Sequence, residues 1–546
     1  MRGLMQDRPL DVALLMRRVE ESFPRKRVIT ATANGEVVTT WHEVVSRARR
    51  LAAALDLLDV PRHARVGTFG WNSHRHVELY LAVPSGGRVL HTLNHRLFAT
   101  ELTYILNDAG DDVLFVDRSL IARVWPLVDQ VPAVRHVVVM DDGGREELPD
   151  DPRILDYEAL IARAPVPAPP VAVDENDAAS LCYTSGTTGR PKGVLYSHRS
   201  IVLHALLLLS VDGFAISERD VVMPIVPMFH VNAWGLPYAV MLAGSDLVLP
   251  GPATSPAELA RQMARHRVTF TAGVPEIWRS LLPLVADVDL SSLRMVVSGG
   301  SPVPESLARA WHEGTGVRLT GSWGMTETSP LVACSRLATA HDELDPDAQR
   351  TLLATPGPSI PLTEVRLVDD AGGTVEHDGT TPGELQVAGP TVASGYFGSE
   401  PGEPKFTDDG WLRTGDVATI DRHGYIRIVD RTKDLVKSGG EWISSGTLEN
   451  EIMAHPDVVE AAVIGIADQR WGERPLACVV LAPGRTLDEA GLRAHLTGRV
   501  ASWWIPERIW VLPAIPKTAT GKFSKVALRE QYAAHRRAQR GPAAQC

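Results

Sequence analysis

Along the first third of the chain, segments with apolar residues at helical spacing alternate with short β-branched runs. Residues 40–58, TWHEVVSRARRLAAALDLL, repeat their apolar positions every three or four residues, which predicts an amphipathic helix. ARVGTF (64–69), DDVLFVD (111–117) and RHVVVMDD (135–142) are bounded by turn formers and predict strands. The alternation stops at APVPAPPVAV (164–173), a Pro/Ala stretch that suits an extended linker and neither a helix nor a central strand. It resumes with AASLCYTSGTTG, DVVMPIV, HRVTFTAG, SLRMVVSGG and VRLTGSWG. Strands alternating with helices over this distance predict parallel, layered α/β sheets.

Near residue 356 the pattern changes. TEVRLVDD, GELQVAGP and GYIRIVD are short and separated by Gly/Asp turns, which predicts a small antiparallel β-subdomain over about 356–430. After Asp430 the charged turn RTKD leads into strand-like VVEAAVIGIAD and LACVVLAP, helical LDEAGLRAHLTGRV, strand-like ERIWVLPA and the helix SKVALREQYAAHRRAQR. The expected organisation is a large α/β N-terminal domain over 1–430 and a smaller α+β C-terminal domain over 431–546, each with apolar segments for its own core.

The composition narrows the class. At 546 residues, 44% hydrophobic and 22% charged, the chain is too long for one core and fits two or three packed domains. A net charge of −11 argues against nucleic acid or an anionic lipid surface as the main partner. The four cysteines, Cys182, Cys334, Cys478 and Cys546, form no CxxC or Cys/His cluster, so neither a zinc site nor a disulfide framework is indicated. The N-terminus carries Arg2, Asp7, Arg8 and Asp11 and lacks the apolar core of a signal peptide. The apolar run from Ile201 to Val211 is too short to span a bilayer, and prolines interrupt the run from Val221 to Leu242. A cytoplasmic protein with no integral membrane segment is expected.

The candidate chemistry concentrates in Tyr183-Thr-Ser-Gly-Thr-Thr-Gly-Arg-Pro-Lys-Gly193. A strand runs into a loop with hydroxyls, glycines and a lysine: backbone N–H groups that turn inward, side-chain donors and a positive charge. That set suits a polyphosphate, although the spacing is not that of a Walker A loop. A Ser/Thr/Gly turn with no ligand has the same composition.

This loop resembles the phosphate loop of the adenylate-forming superfamily of acyl- and aryl-CoA synthetases, nonribosomal adenylation domains and luciferases. Four further stretches resemble that family's motifs in the same order: GSWGMTET (321–328), WLRTGD (411–416), DRTKDLVKSGG (430–440) and PKTATGK (516–522). PMFHVNAWGLPY (227–238) and KSGGEWISS (437–445) resemble most closely the bacterial medium- and long-chain fatty acyl-CoA synthetases.

The resemblance implies an ATP-dependent acid:CoA ligase that works through an acyl-adenylate. A carboxylate is a poor electrophile until a good leaving group such as AMP is attached. Attaching it brings two anions together at the α-phosphorus, so the site must neutralise charge on both sides. The resemblance places Thr184, Ser185, Gly186, Thr187, Thr188, Gly189 and Lys192 on the β- and γ-phosphates, and Thr326 on the α-phosphate. It places Glu327, with Thr184, on a magnesium ion, and makes Gly321, Ser322 and Trp323 the adenine slot. Asp416 and Arg431 would hold the ribose, and Lys522 would meet the α-phosphate and carboxylate oxygens as charge develops there. A glutamate in such a turn is otherwise a helix cap, and Trp323 is equally a packing residue.

For the second half-reaction the resemblance implies a swing of the C-terminal domain about Lys433. The swing would bring Lys437, Ser438, Gly439, Gly440 and Trp442 to the site: the glycines beside the pantetheine arm of CoA, and Lys433, Lys437 and Trp442 near the nucleotide. His230, Val231, Trp234, Gly273, Gly299, Gly300 and Ser301 are the acyl-pocket candidates, with Gly235 and Gly273 expected to leave room for the acid. Lys525, Arg529, Arg536 and Arg537 make a basic helix that either meets CoA phosphates or is solvated.

The expected substrates are a small-molecule acid, ATP with Mg2+, and CoA; a homodimer is an admissible assembly. Three alternatives stay open. The acid is aromatic, short and sulfur-containing, or not a carboxylate; the acceptor is not CoA; or the chain binds nucleotide without catalysis, against which Glu327, Asp416, Arg431 and Lys522 all stand intact.

Overall fold

The structure is a computed structural model that describes the chain except residues 2, 165–170, 185–189, 400–403, 440, 518–522 and 540–546; most of the proline-rich linker falls outside the described residues. The chain divides into two compact units. The first comprises Met1–Thr184, Pro191–Glu364 and Val387–Leu412; the second comprises Val365–Gln386 and the chain from Arg413 onward.

The first unit contains two large sheets with helices packed on them, as the strand–helix alternation predicts. One runs, in spatial order, Ile154–Asp156, His136–Met140, Asp111–Asp117, Arg65–Phe69, Val89–Thr92, Ala178–Tyr183 and Gly193–Ser197. It is parallel except for the last pair, an antiparallel hairpin whose connection is the Ser/Thr/Gly loop. The other runs Leu331–Cys334, Leu319–Gly324, Met295–Ser298, Phe270–Gly273, Val221–Pro224, Asp246–Leu249, Arg27–Thr32 and Gly35–Thr40. Its inner strands are parallel and its two outer pairs antiparallel.

The inner strands are buried at nearly every position rather than at alternate ones, because helices cover both faces. The amphipathic helix forms as Trp41–Leu57, started by a capping box in which Thr40 Oγ1 accepts from the Glu43 N–H and Glu43 reaches back to the Thr40 N–H. It buries Trp41 and Leu51 in the largest core cluster, with Tyr80, Phe115 and Tyr157. A second cluster centres on an edge-to-face pair, Trp278 and Trp311, with ring centroids 5.4 Å apart.

One consequence of this topology positions the chemistry. The parallel strands Val221–Pro224, Phe270–Gly273, Met295–Ser298 and Leu319–Gly324 are neighbours, so their C-terminal ends lie along one edge. The segments leaving that edge carry His230, Gly273, Gly299–Ser301 and Thr326–Glu327. In parallel α/β sheets, ligands bind outside the carboxyl ends of the strands.

The second unit holds most of the small sheet Glu364–Val368, Gly383–Ala388, Leu412–Ile420 and Ile426–Arg431. It also holds a sheet ordered Glu441–Ile443, Val436–Ser438, Gly472–Leu481 and Val458–Asp468, with Arg508–Val511 parallel to Gly472–Leu481. Helix Ser445–Met453 packs on one face around Leu448, Ile452 and Val463, and helix Lys525–Gln539 buries Leu528 against Ile464 and Cys478. The helix expected over LDEAGLRAHLTGRV is shorter, Glu489–Leu496, because its chain leaves the helical region at Thr497.

Candidate active site

The phosphate-loop candidates lie at a hairpin whose base is closed by two hydrogen bonds. The Thr184 N–H donates to the Lys192 carbonyl at 2.9 Å, and the Lys192 N–H donates to Thr184 Oγ1 at 3.1 Å. Ser185, Gly186, Thr187, Thr188 and Gly189 lie outside the described residues. The Lys192 ammonium sits 4.8 Å from the centroid of the Tyr396 ring. The Tyr396 hydroxyl donates to Glu327 Oε1 at 2.6 Å. Tyr396 thus joins the loop lysine to the carboxylate of the second motif, two residues 135 positions apart.

Glu327 lies in the single 3-10 turn Thr326–Thr328 and is buried. Two main-chain anchors hold that turn: the Tyr196 hydroxyl donates to the Thr326 carbonyl at 2.7 Å, and the Ala393 N–H donates to the Glu327 carbonyl at 2.7 Å. Among the described residues no cluster of three or more His, Cys, Asp or Glu side chains is arranged for a metal. A buried carboxylate with oxygen capacity to spare suits a hard cation that takes most of its ligands from phosphates and water. Magnesium fits this arrangement.

Gly321, Ser322 and Trp323 lie on strand Leu319–Gly324, where Ser322 pairs with Cys334 and Trp323 with Ala333. Gly321 is required by packing, since a Cβ there would stand 2.2 Å from the Thr355 carbonyl oxygen. The Ser322 hydroxyl donates to the Ser298 carbonyl at 3.2 Å, tying this strand to the next. Trp323 is half-buried.

The acyl candidates share the loop that follows strand Val221–Pro224. The buried Asn72 amide donates to the carbonyls of Pro224 and Val226 at 3.0 and 2.9 Å and accepts from the Met228 N–H at 2.7 Å. Tyr80 donates to the Met228 carbonyl, and Thr92 to that of Phe229 at 3.4 Å. His230, half-buried, ends this anchored stretch.

From Val231 the backbone turns left-handed. Val231, Asn232, Ala233 and Trp234 have φ of 49°, 53°, 51° and 56°, and Gly235 has 72°. The left-handed form costs a non-glycine residue about 1–2 kcal/mol, so four in succession require strong compensation. Trp234 is buried, and its indole edge reaches Gly299: a Cβ on Gly299 would lie 3.1 Å from Trp234 Cη2 and 2.6 Å from Ser322 Oγ. The fold thereby brings Trp234, Gly299 and Ser322 together.

The two glycines expected to leave room for the acid do not. A Cβ on Gly235 would stand 2.5 Å from His204 Nδ1, and one on Gly273 would stand 2.9 Å from Trp278 Cζ2. Their missing side chains are replaced by protein rings, not by open space. Gly300 and Ser301 are exposed at the end of the neighbouring strand. His204 is buried, its Nε2 accepts from the Leu331 N–H at 3.2 Å, and burial pushes its pKa down to about 3, so it is neutral.

In the second unit, Asp416 and Arg431 stand opposite each other on antiparallel strands, with Arg431 Nε 3.1 Å from Asp416 Oδ1. The Asp416 carboxylate is buried and Arg431 is exposed. The turn after Arg431 carries Lys433, whose carbonyl accepts from Arg529 Nη2 at 3.3 Å, while Arg529 pairs with Asp434 at 3.1 Å. Lys437 and Trp442 are cross-strand partners, the ammonium 4.1 Å from the indole centroid. The Ser438 hydroxyl accepts from Arg474 Nη1 at 3.2 Å. Gly439 has φ 64° and donates its N–H to the Trp471 carbonyl at 2.8 Å; Gly440 and Lys522 lie outside the described residues.

The expectation for the C-terminal helix needs correction. Lys525 is mostly shielded from solvent and already paired, because its ammonium lies 2.8 Å from the half-buried Glu449 carboxylate and donates to Ser445. Arg529 is taken up by Asp434. The sequence reading also missed Tyr396, Asn72, Asn232 and His204. Each lies far along the chain from the group it holds, so no local pattern marks it.

Comparison with known proteins covers nearly the whole chain. The AMP-binding enzyme family model matches residues 16–397, and the model of the AMP-binding enzyme C-terminal domain matches residues 447–522. The long-chain-fatty-acid–CoA ligase of Thermus thermophilus is 46% identical over 533 residues, covering 97% of this chain and 96% of that protein. The 3-methylmercaptopropionyl-CoA ligase of Ruegeria lacuscaerulensis is 41% identical over 535 residues, covering 97% and 99%. Among solved structures, the anthranilate CoA ligase AuaEII in complex with anthranoyl-AMP superposes with a TM-score of 0.84 at 28% identity, covering 97% of this chain and 100% of that one.

Proposed function

The chain belongs to the AMP-binding enzyme family and is an AMP-forming acid–CoA ligase, and on that premise we propose that its acid is a medium- or long-chain fatty acid. The observation that carries the proposal is the loop 227–238, in which His230, a left-handed turn and Trp234 follow one another beside the nucleotide-binding candidates. The 46% identity to a long-chain-fatty-acid–CoA ligase supports it.

In this reading Lys192 and the loop from Thr184 hold the β- and γ-phosphates. Bound magnesium supplies charge neutralisation on the phosphate oxygens. Glu327, oriented by Tyr396, is the carboxylate that would hold it. Thr326 donates to the α-phosphate, Trp323 stacks on adenine and Asp416 accepts from the ribose hydroxyls, with Arg431 holding the Asp416 carboxylate in place. Lys522 stabilises the negative charge that grows as the fatty-acid carboxylate attacks the α-phosphorus and pyrophosphate leaves. For thioester formation the segment from 431 onward turns about Lys433, removing Lys522 and presenting Lys437–Trp442 to CoA. The CoA thiol then attacks the acyl carbonyl, and AMP departs.

No helix among the described residues is long and apolar enough to cross a membrane, and Cys182, Cys334 and Cys478 are unbridged and buried. These features support a cytoplasmic enzyme. The test is acid-dependent pyrophosphate release over short sulfur-containing, medium, long-chain and aromatic acids, with and without CoA and with products identified by mass. Fatty-acid-dependent release with a fatty acyl-CoA product is expected. Release only with an aromatic or short sulfur acid, or without any thioester, overturns the substrate or the acceptor respectively.

A further inference from the structure

Four consecutive non-glycine residues in the left-handed region are held in place by something, and the structure shows what. Asn232, in the middle of the turn, is buried, and its side chain points into the seven-stranded sheet. Asn232 Nδ2 donates to Ser180 Oγ at 3.2 Å, and the Ser180 hydroxyl donates onward to the Leu90 carbonyl at 3.1 Å. The Cys182 thiol donates to Asn232 Oδ1 at 3.5 Å and is itself 3.2 Å from Thr92 Oγ1. Burial pushes the Cys182 pKa up to about 11, so this thiol keeps its proton for the contact.

Ser180 and Cys182 lie on strand Ala178–Tyr183, the strand that runs into Thr184 at the base of the phosphate loop. One amide therefore ties the turn carrying Trp234 to the strand carrying the loop. We infer that Asn232 is a positioning residue: it locks the left-handed turn onto the phosphate-loop strand and so sets where the Trp234 indole stands relative to Gly299 and the acid. Neighbouring contacts support this. The loop before the turn is fixed by Asn72, Tyr80 and Thr92, and Gly235 after it abuts His204. Within the turn itself, Asn232 is the residue whose side chain carries polar contacts into the sheet. Without them the left-handed backbone has an easier alternative, and relaxation moves Trp234 and leaves Lys192 and Glu327 where they are.

The inference rests on the reading that this turn faces the acid. Its test is a comparison of KM values and chain-length preference in the full-length enzyme. Asn232→Ala removes the amide and raises the left-handed penalty; Asn232→Gly removes the amide and abolishes the penalty. Both variants are expected to raise the KM for the preferred acid about tenfold and to flatten the preference between chain lengths, with the KM for ATP changed by less than about twofold.

If Asn232→Gly restores the wild-type acid KM and preference, the turn needs only conformational freedom and the anchoring role is wrong. Equal loss in the acid and ATP terms also overturns it, because a general structural defect does not separate them. Should neither variant fold, Ser180→Ala removes one end of the anchor at lower cost. The same flattened preference is expected there, and an unchanged profile sinks the proposal. If the wild-type enzyme turns over only another acid class, the fatty-acid reading fails, and the same KM ratio measured with that acid still decides the role of Asn232.

Discussion

The Tyr396 hydroxyl donates a 2.6 Å hydrogen bond to Glu327 Oε1, and the face of its ring lies beneath the Lys192 ammonium. One aromatic side chain thus contacts both an anion and a cation, which in the function proposed above serve the metal and the phosphates respectively.

Tyr396→Phe keeps the ring and removes the hydroxyl. Glu327 loses a short, charge-assisted bond, and the Mg2+ concentration for half-maximal pyrophosphate release is expected to rise about three- to tenfold. The KM for the acid stays near wild type. Tyr396→Leu also removes the cation–π support of Lys192, and a further rise in the KM for ATP is expected. A Mg2+ titration that superposes on wild type for Tyr396→Phe rules out this role for the hydroxyl.

The two half-reactions separate Lys522 from Lys433. Lys522→Ala is expected to cut adenylate formation by about 100-fold or more while thioester formation from supplied acyl-adenylate continues. Lys433→Pro is expected to leave adenylate formation measurable and to block transfer to CoA, because a fixed φ stiffens the turn. Normal CoA turnover by Lys433→Pro would show that the hinge is elsewhere.

Lys525 and Glu449 form a largely enclosed ion pair, each side chain 13% exposed, with Ser445 and Asp430 completing the network. Burial alone would lower the Lys525 pKa, but the Glu449 and Asp430 carboxylates hold it above its ordinary value. Glu449→Gln leaves that charge without its partner and is expected to destabilise the second unit by about 3 kcal/mol in urea unfolding. Loss of activity without loss of stability in Glu449→Gln would instead return Lys525 to the CoA site.

His204 gives a pH-dependent stability of known sign. Its pKa is about 3 in the folded chain against an ordinary 6.5, so the unfolded chain takes up the proton first on acidification. Its contribution is complete above about pH 6.5 and is lost as pH falls toward 3, at up to about 1.4 kcal/mol per pH unit. His204→Gln lacks this titration. The gap in Tm between wild type and His204→Gln is therefore expected to narrow from about pH 7 to about pH 5, while other buried groups cancel in the comparison. A gap independent of pH would mean that His204 is not held neutral.

What the sequence by itself determined is whatever depends on neighbours along the chain. Apolar periodicity placed helix Trp41–Leu57, and β-branched runs placed most inner strands of both large sheets, though not Arg27–Thr32, Val89–Thr92 or Asp246–Leu249. The motif strings identified the reaction, because loop chemistry such as 184–193 is written in consecutive residues. The tertiary structure decided everything carried by distant partners. Tyr396 meets Glu327 across 69 residues, and Asn232 meets Ser180 across 52. It also decided which charges are available: Lys525 looks like a surface cation in sequence, and only packing reveals Glu449 beside it. Gly235 and Gly273 looked like space for a substrate, yet a missing side chain says only that something approaches closely. Whether that neighbour is a ligand or a His204 or Trp278 ring is fixed by the fold, because close packing fills every gap with whatever the topology brings near.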